Sequence, residues 1–127
     1  MQPYESLPEP VRRGIDLINK GLYFEAHEVL EEFWRQDTSA YRQLYQALIQ
    51  VSVCLYHFQR GNTRGAIKLA QRAIAILQTY AQEILPLNLE RLVEDLHLIE
   101  KETFRSSNNP EGFFPVVIHR GNNSLLE

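Results

Sequence analysis

Five apolar patterns with helical spacing follow one another along the chain, and glycines, prolines or short runs of capping residues separate them. Gly21 and Gly61 are suited to ending helices, and Pro86 interrupts the chain before the last pattern. No sustained alternation with a period of two occurs before residue 110, so strands are not expected there. We therefore predict an all-α fold, a compact bundle of about five helices built from helical hairpins.

The predicted helices cover about residues 11–20, 22–36, 40–60, 63–83 and 89–102. Asparagine, aspartate, serine and threonine satisfy the free N–H groups at a helix start, and such residues precede the last three helices. Asn62 or Thr63 is the expected cap of the fourth helix and Asn88 of the fifth. The length of 127 residues fits a single helical domain over 1–127, with a core of about 8–103.

The C-terminal part, 104–127, differs in composition from the helices. Turn-forming residues flank the apolar stretch "FFPVVIH", which contains a proline. Because these apolar side chains would be costly in water, we predict an extended tail that lies on the bundle. The residues expected to make that contact are Phe113, Phe114, Val116 and Ile118.

Charge and cysteine content exclude several classes of partner. The formal net charge is −3 and the pI is near 5.8, so the chain has no basic footprint for nucleic acid or a membrane surface. The uncharged stretch 43–59 contains glutamines, a serine and a histidine, which argues against a membrane span. The N-terminus shows no signal pattern and Cys54 is the only cysteine, so a cytoplasmic protein is expected.

The second helix separates its side chains into three faces at about 100° per residue. Glu25, Glu28, Glu32 and Arg35 form a face expected to contact solvent. The main core stripe consists of Leu22, Ala26, Val29, Leu30 and Phe33. The remaining side, between core and water, carries Phe24, His27, Glu31 and Trp34.

The third helix is apolar nearly all round and is expected to be central. Its polar stripe consists of Gln46, Gln50 and His57, without a lysine or glutamate between positions 43 and 59. The stripe is either the solvent-exposed face of this helix or the lining of a polar pocket. In the second case it would meet His27, Glu31 and Trp34.

His27 and Glu31 are four residues apart on a helix, so their side chains can touch. A carboxylate beside an imidazole fixes its tautomer and raises its basicity, as in a general base. The same pair is equally typical of a hydrogen-bonded network in a core. The sequence leaves three hypotheses: a binding module, a hydrolase-like or metal-dependent enzyme using this pair, and an adaptor in which the residues are structural.

Two sequence patterns resemble a known family. His27-x-x-x-Glu31-x-x-Trp34, preceded by "YFEA", is similar to the H-x-x-x-E-x-x-W motif of the family called domain of unknown function 309. The block "LYQALIQVSVCLYHFQRGNTRGA" at 44–66 resembles its second motif. The resemblance covers roughly 10–100 and implies a small helical bundle with no established activity. The matching positions are His27, Glu31, Trp34, Gln46, Gln50, His57, Gly61, Asn62 and Gly65.

Metal and nucleophilic chemistry are weakly supported. His27, Glu31 and His57 could supply three ligands, but "HEVLE" lacks the second histidine of a zincin helix. Cys54 lies three residues before His57, although a lone helical cysteine is usually buried and inert. We therefore predict no metal and no cofactor. A small molecule or a peptide is the expected partner, in a protein that can form homo-oligomers. The predicted binding residues are His27, Glu31, Trp34, Gln46, Gln50 and His57.

Overall fold

The computed structural model describes residues 3–101 and 116–121, and these residues form a helical bundle. A short 3-10 helix, Tyr4–Ser6, precedes five α-helices. Each α-helix packs mainly against its neighbours in sequence. The predicted all-α fold is confirmed. The helices are α1 Glu9–Asn19, α2 Tyr23–Gln36, α3 Arg42–Gln59, α4 Thr63–Gln78 and α5 Leu89–Glu100.

Two glycine turns join α1 to α2 and α3 to α4 in the same way. Gly21 and Gly61 have φ of 80° and 82°, a left-handed conformation that glycine adopts without steric cost. The residue after each glycine donates its N–H to a carbonyl five residues earlier, at 2.9 and 2.8 Å. These matched turns form two of the predicted helical hairpins.

The core lies along the helix contacts, with α3 at its centre. Leu48, Val51 and Leu55 of α3 are fully buried, as are Ala26 and Leu30 of α2. The expectation for Leu22 was wrong, because this residue precedes α2 as its N-cap and its side chain is 44% exposed. Asn62 and Asn88 cap α4 and α5 as predicted, each accepting a backbone N–H through its side chain.

The fourth helix ends earlier than predicted, at Gln78 and not near Glu83. Tyr80 accounts for the difference, because its hydroxyl contacts the chain just before α3 and the first turn of that helix. The hydroxyl donates to the carbonyl of Ala40 at 3.3 Å and accepts the N–H of Leu44 at 3.2 Å. This tertiary contact holds Tyr80 beside the start of α3, just after the end of α4.

The described part of the tail is an extended segment on the bundle. Val116 and Ile118 are buried, whereas the predicted contacts of Phe113 and Phe114 lie outside the described residues. Leu87 pairs with Arg120 in an isolated antiparallel bridge. No helix in the described ranges 3–101 and 116–121 is both long and apolar enough to cross a membrane. The assignment of 1–127 to a single domain stays a prediction.

Candidate functional site

Helices α2 and α3 run antiparallel, and contacts at their two ends define the surface between them. At one end the rings of Phe24 and Tyr56 lie 5.9 Å apart. At the other end the guanidinium of Arg42 lies 3.9 Å from the ring centroid of Trp34. We call this region the α2–α3 surface, formed by Phe24, His27, Glu31 and Trp34 of α2 and by Arg42 and Tyr56 of α3.

The predicted residues on α2 occupy a half-buried side, as their helical angles indicate. The side chains of His27 and Glu31 are 28% and 34% exposed, and Trp34 is also partly buried. Glu28 and Glu32 are exposed, which confirms their placement on the solvent face. Glu31 therefore lies on the half-buried side of the helix, whereas the neighbouring glutamates Glu28 and Glu32 face solvent.

His27 and Glu31 are in contact without a hydrogen bond. Nε2 of His27 lies 3.7 Å from a carboxylate oxygen of Glu31, longer than the usual hydrogen-bond distance. The other carboxylate oxygen accepts a hydrogen bond from Nη2 of Arg35 at 3.1 Å. Glu31 is thus shared along the helix between an imidazole and a guanidinium, with the shorter contact to the guanidinium.

Two buried polar atoms, one on α2 and one on α3, have no hydrogen-bond partner within the described residues. These are the indole N–H of Trp34 and the side-chain carbonyl oxygen of Gln50. One is a donor and the other an acceptor, and they belong to the two different helices of the surface. Because buried polar groups are almost always hydrogen-bonded, these two atoms require an explanation.

His57 lies at the C-terminal end of α3 and is hydrogen-bonded to the turn that follows. Its Nδ1 lies 3.1 Å from Nδ2 of Asn62. Its imidazole stands 6.4 Å from the ring of Tyr56, while Phe24 lies 6.2 Å from His27. Each histidine thus contacts one ring of the Phe24–Tyr56 pair. Gln46 is half-buried on the same helix.

Sequence reasoning missed two guanidinium groups. Arg35 was assigned to the solvent face, and it is exposed, but it lies four residues after Glu31 and so has the spacing of a helical ion pair. That signal was available in the sequence. Arg42 could not have been found in this way, because its contact with Trp34 depends on how α3 packs against α2.

The nucleophilic side chains of α3 are buried and hydrogen-bonded to backbone carbonyls. Burial raises the pKa of the Cys54 thiol to about 12, and its Sγ donates to the carbonyl of Ala66 at 3.2 Å. Ser52 is buried and donates to the carbonyl of Ile49 at 2.7 Å. In the described part of the chain, no three His, Cys, Asp or Glu side chains come together as a metal site. The suggested ligand set of His27, Glu31 and His57 is not assembled.

A cleft of about 840 Å³ lies elsewhere in the molecule, between the end of α4, the loop that follows it and the start of α5. None of the six predicted binding residues lines it. The α2–α3 surface and this cleft are thus separate features, and each requires its own interpretation.

Comparisons with known proteins find relatives without an established activity. The chain is 44% identical over 75 residues to the uncharacterized protein YpuF of Bacillus subtilis (strain 168), covering 57% of this chain and 43% of YpuF. It is 30% identical over 57 residues to an uncharacterized protein of Aquifex aeolicus (strain VF5), covering 44% of this chain and 17% of that protein. The matched segments thus span less than half of either relative. No solved structure matches the chain significantly.

The sequence model of the family described as "Domain of unknown function (DUF309)" matches residues 11–69. This range contains the positions of both sequence patterns and ends within α4, so it is shorter than the 10–100 expected. It also contains all six predicted binding residues. The predicted resemblance is confirmed: over residues 11–69, helices α1 to α3 and the first part of α4, this chain matches the DUF309 family.

Proposed function

We propose that this protein is an interaction module that binds a peptide segment of a partner along the α2–α3 surface. The observation that carries the proposal is the unpaired donor and acceptor, Trp34 Nε1–H on α2 and Gln50 Oε1 on α3. The proposal assigns both atoms to the same partner. Leaving such groups unpaired costs about 1–3 kcal/mol each. Both atoms are buried, so a partner reaches them only when the side chains that cover them move aside, and pairing both would then recover that free energy.

A peptide suits this pair of atoms because each amide group carries one N–H donor and one C=O acceptor. Phe24 is 51% exposed and packs on Tyr56, so the surface also offers aromatic area to apolar side chains of the partner. Guanidinium groups lie at both ends, Arg42 over Trp34 and Arg60 5.3 Å from the ring centroid of Tyr56. Acidic side chains in the partner would complement them.

The role of His27 and Glu31 in this proposal is to contribute a charged, half-exposed edge to the surface. A base dyad would need a hydrogen bond of about 2.6–3.2 Å between the two groups. Their separation is 3.7 Å, and Glu31 makes its shorter contact to Arg35. The geometry therefore favours recognition over proton transfer. A cytoplasmic location and the capacity to form homo-oligomers remain part of the proposal.

The test is a selection of peptides from a random displayed library on the wild-type protein, followed by affinity measurements with the labelled peptides. Trp34→Phe removes the indole N–H and Gln50→Met removes the amide oxygen, each with a side chain of similar shape. Losing one hydrogen bond of about 1.4 kcal/mol weakens binding tenfold. Anisotropy of the labelled peptide measures this without relying on tryptophan fluorescence.

Leu98→Ala is the matched control, because Leu98 is an exposed apolar residue on α5, 38% exposed and outside the α2–α3 surface. It should leave the dissociation constant unchanged. If every selected peptide binds Trp34→Phe and Gln50→Met as tightly as wild type, the α2–α3 surface is not the binding site and the proposal fails.

A further inference from the structure

The cleft between α4 and α5 has an apolar floor. It occupies about 840 Å³, within the range of about 300–1,000 Å³ that is typical of ligand sites. Its lining includes the buried side chains of Leu77, Leu85, Leu87 and Leu89 and the partly buried Val93. Ile84 at its edge is 66% exposed, the highest exposure among the large apolar residues of the described chain. Apolar area is therefore present both on the floor and at the rim.

The rim of this cleft is acidic. Glu83, Glu90 and Glu94 line it, all three are exposed, and within the described residues none of them forms an ion pair. No lysine, arginine or histidine is among the described lining residues. Three carboxylates around a low-dielectric surface produce a local negative potential. A ligand that fits must bring apolar groups and positive charge together.

The backbone beside the cleft is already paired. The carbonyl of Pro86 accepts the N–H of Gly121 at 2.7 Å, and the N–H of Asn88 donates to the carbonyl of His119 at 3.0 Å. These loop groups are therefore not free to bind an extended peptide by adding a strand. A helix satisfies its own backbone groups and needs only apolar side chains and charges from the groove.

We propose that the α4–α5 cleft is a docking site for an amphipathic helix of a partner protein, with apolar residues on one face and lysine or arginine beside them. The apolar face covers the leucine floor and Ile84, and the basic residues approach Glu83, Glu90 and Glu94. This site is distinct from the α2–α3 surface, which has guanidinium groups at its ends. It also lies beyond the matched residues 11–69.

The probe for this site is a synthetic peptide of leucine and lysine, about 14 residues long, with leucines at helical spacing. Binding is measured by isothermal titration, and amide chemical shifts identify the residues that respond. We expect the largest shifts in 77–94. Because exposed charges are screened by salt, the affinity should fall between about 50 and 300 mM salt. The same peptide with glutamate in place of lysine should not bind.

The discriminating variant is Glu83→Gln/Glu90→Gln/Glu94→Gln, which should weaken binding about tenfold or more. Its control is Glu25→Gln/Glu28→Gln/Glu32→Gln, which makes the same change in net charge on the exposed face of α2. The control should weaken binding less than about twofold, because these charges lie away from the cleft. Ile84→Ser should also weaken binding of the leucine–lysine peptide.

Four outcomes would overturn the proposal. Equal effects of the two triple variants would show that the peptide responds to net charge alone. Unchanged affinity in Ile84→Ser, or shifts confined to residues outside 77–94, would place the peptide elsewhere. The last outcome combines three results: the wild-type chain self-associates, the triple variant of the cleft abolishes that association, and the peptide does not bind. In that case the occupant is a second copy of this chain.

Discussion

The side-chain amide of Asn62 donates from its Nδ2 to Nδ1 of His57 across the turn between α3 and α4, at 3.1 Å. The direction follows from the other end of the amide, because its Oδ1 accepts the backbone N–H of Gly65 at 3.1 Å. His57 therefore accepts at Nδ1, and a neutral ring carries its proton on Nε2. Together with Gly61 at positive φ, these residues give the second sequence pattern a structural explanation.

Gly65→Ala should destabilise the wild-type protein and stabilise the Asn62→Ala variant. A Cβ at position 65 would lie 2.7 Å from Nδ2 of Asn62 and would displace the capping side chain, which is worth about 0.5–2 kcal/mol. Without that side chain, only the helix preference of alanine over glycine remains, up to about 1 kcal/mol. Urea denaturation of wild type, the two single variants and the double variant measures whether the effect of Gly65→Ala on stability changes sign. Additivity within about 0.5 kcal/mol would contradict the explanation.

Asn19→Ala should release the described tail from the bundle. The Asn19 amide donates to the carbonyl of Ile118 at 3.0 Å and accepts its N–H at 2.8 Å, so one side chain pairs both backbone groups. Losing two such bonds should cost about 1–3 kcal/mol. Urea denaturation measures the loss of stability, and hydrogen exchange of the Ile118 amide should become faster.

The control for this change is Lys20→Ala, because Lys20 makes an exposed ion pair with Asp16. Such pairs contribute about 0–1 kcal/mol. Unchanged exchange at Ile118 in Asn19→Ala would mean that burial of Val116 and Ile118 alone holds the segment.

Local signals in the sequence predicted the helices and two of their caps well. Asn62 and Asn88 cap α4 and α5 because a capping side chain bonds to a backbone N–H only a few residues away. Leu22 was misplaced because the helical pattern extends one residue beyond the helix itself. The end of α4 was wrong for another reason: the hydroxyl of Tyr80 bonds to Ala40 and Leu44, far away in sequence.

The candidate site also has features that the sequence predicted and features that it could not predict. The half-buried side of α2 with His27 and Glu31 followed from helical periodicity alone. The stacking of Arg42 on Trp34 depends on the packing of α2 against α3, and the burial of the Gln50 oxygen depends on the tertiary packing around α3, so no local pattern could show them. The cleft beside α5 was missed entirely, since the loop after Gln78 that lines it was predicted as part of α4.

Stability should fall as the pH rises above about 9. Burial raises the pKa of Cys54 from 9.0 to about 12, so the unfolded chain loses the thiol proton while the folded protein keeps it. The unfolded state then binds fewer protons, and the free energy of unfolding decreases by up to about 1.4 kcal/mol per pH unit. This contribution to stability is fully present below pH 9 and is lost progressively toward pH 12.

Cys54→Ala tests this dependence, because it removes the titrating group. Its stability at neutral pH should be lower through the lost packing, but its decline between pH 9 and 11 should be shallower than that of wild type. Guanidinium denaturation at a series of pH values gives both slopes. Parallel curves for the two proteins would show that other groups cause the alkaline loss.

His27→Ala and Glu31→Ala should each change stability by less than about 0.5 kcal/mol. Both side chains are about a third exposed, their closest approach is 3.7 Å, and exposed ion pairs contribute little. Leu30→Ala is a control on the same helix, where a fully buried side chain is removed at a cost of about 2–5 kcal/mol. A loss of 1 kcal/mol or more in either variant would make the pair structural.

Gln50→Met should leave the stability of the free protein unchanged or raise it by about 1 kcal/mol, since it removes a buried oxygen that has no partner within the described residues. Methionine has a similar length and fills the same space, so the packing around this position is retained. Trp34→Phe provides the contrast, because it removes the unpaired N–H together with ring area stacked under Arg42. That variant should lose stability because packing is lost and because the cation–π contact is removed. The cation–π contact contributes about 0.5–1 kcal/mol. Thermal and urea unfolding measure both. If Gln50→Met is destabilised by more than about 1 kcal/mol, the Gln50 amide stabilises the free protein, and its unpaired oxygen no longer supports a binding role.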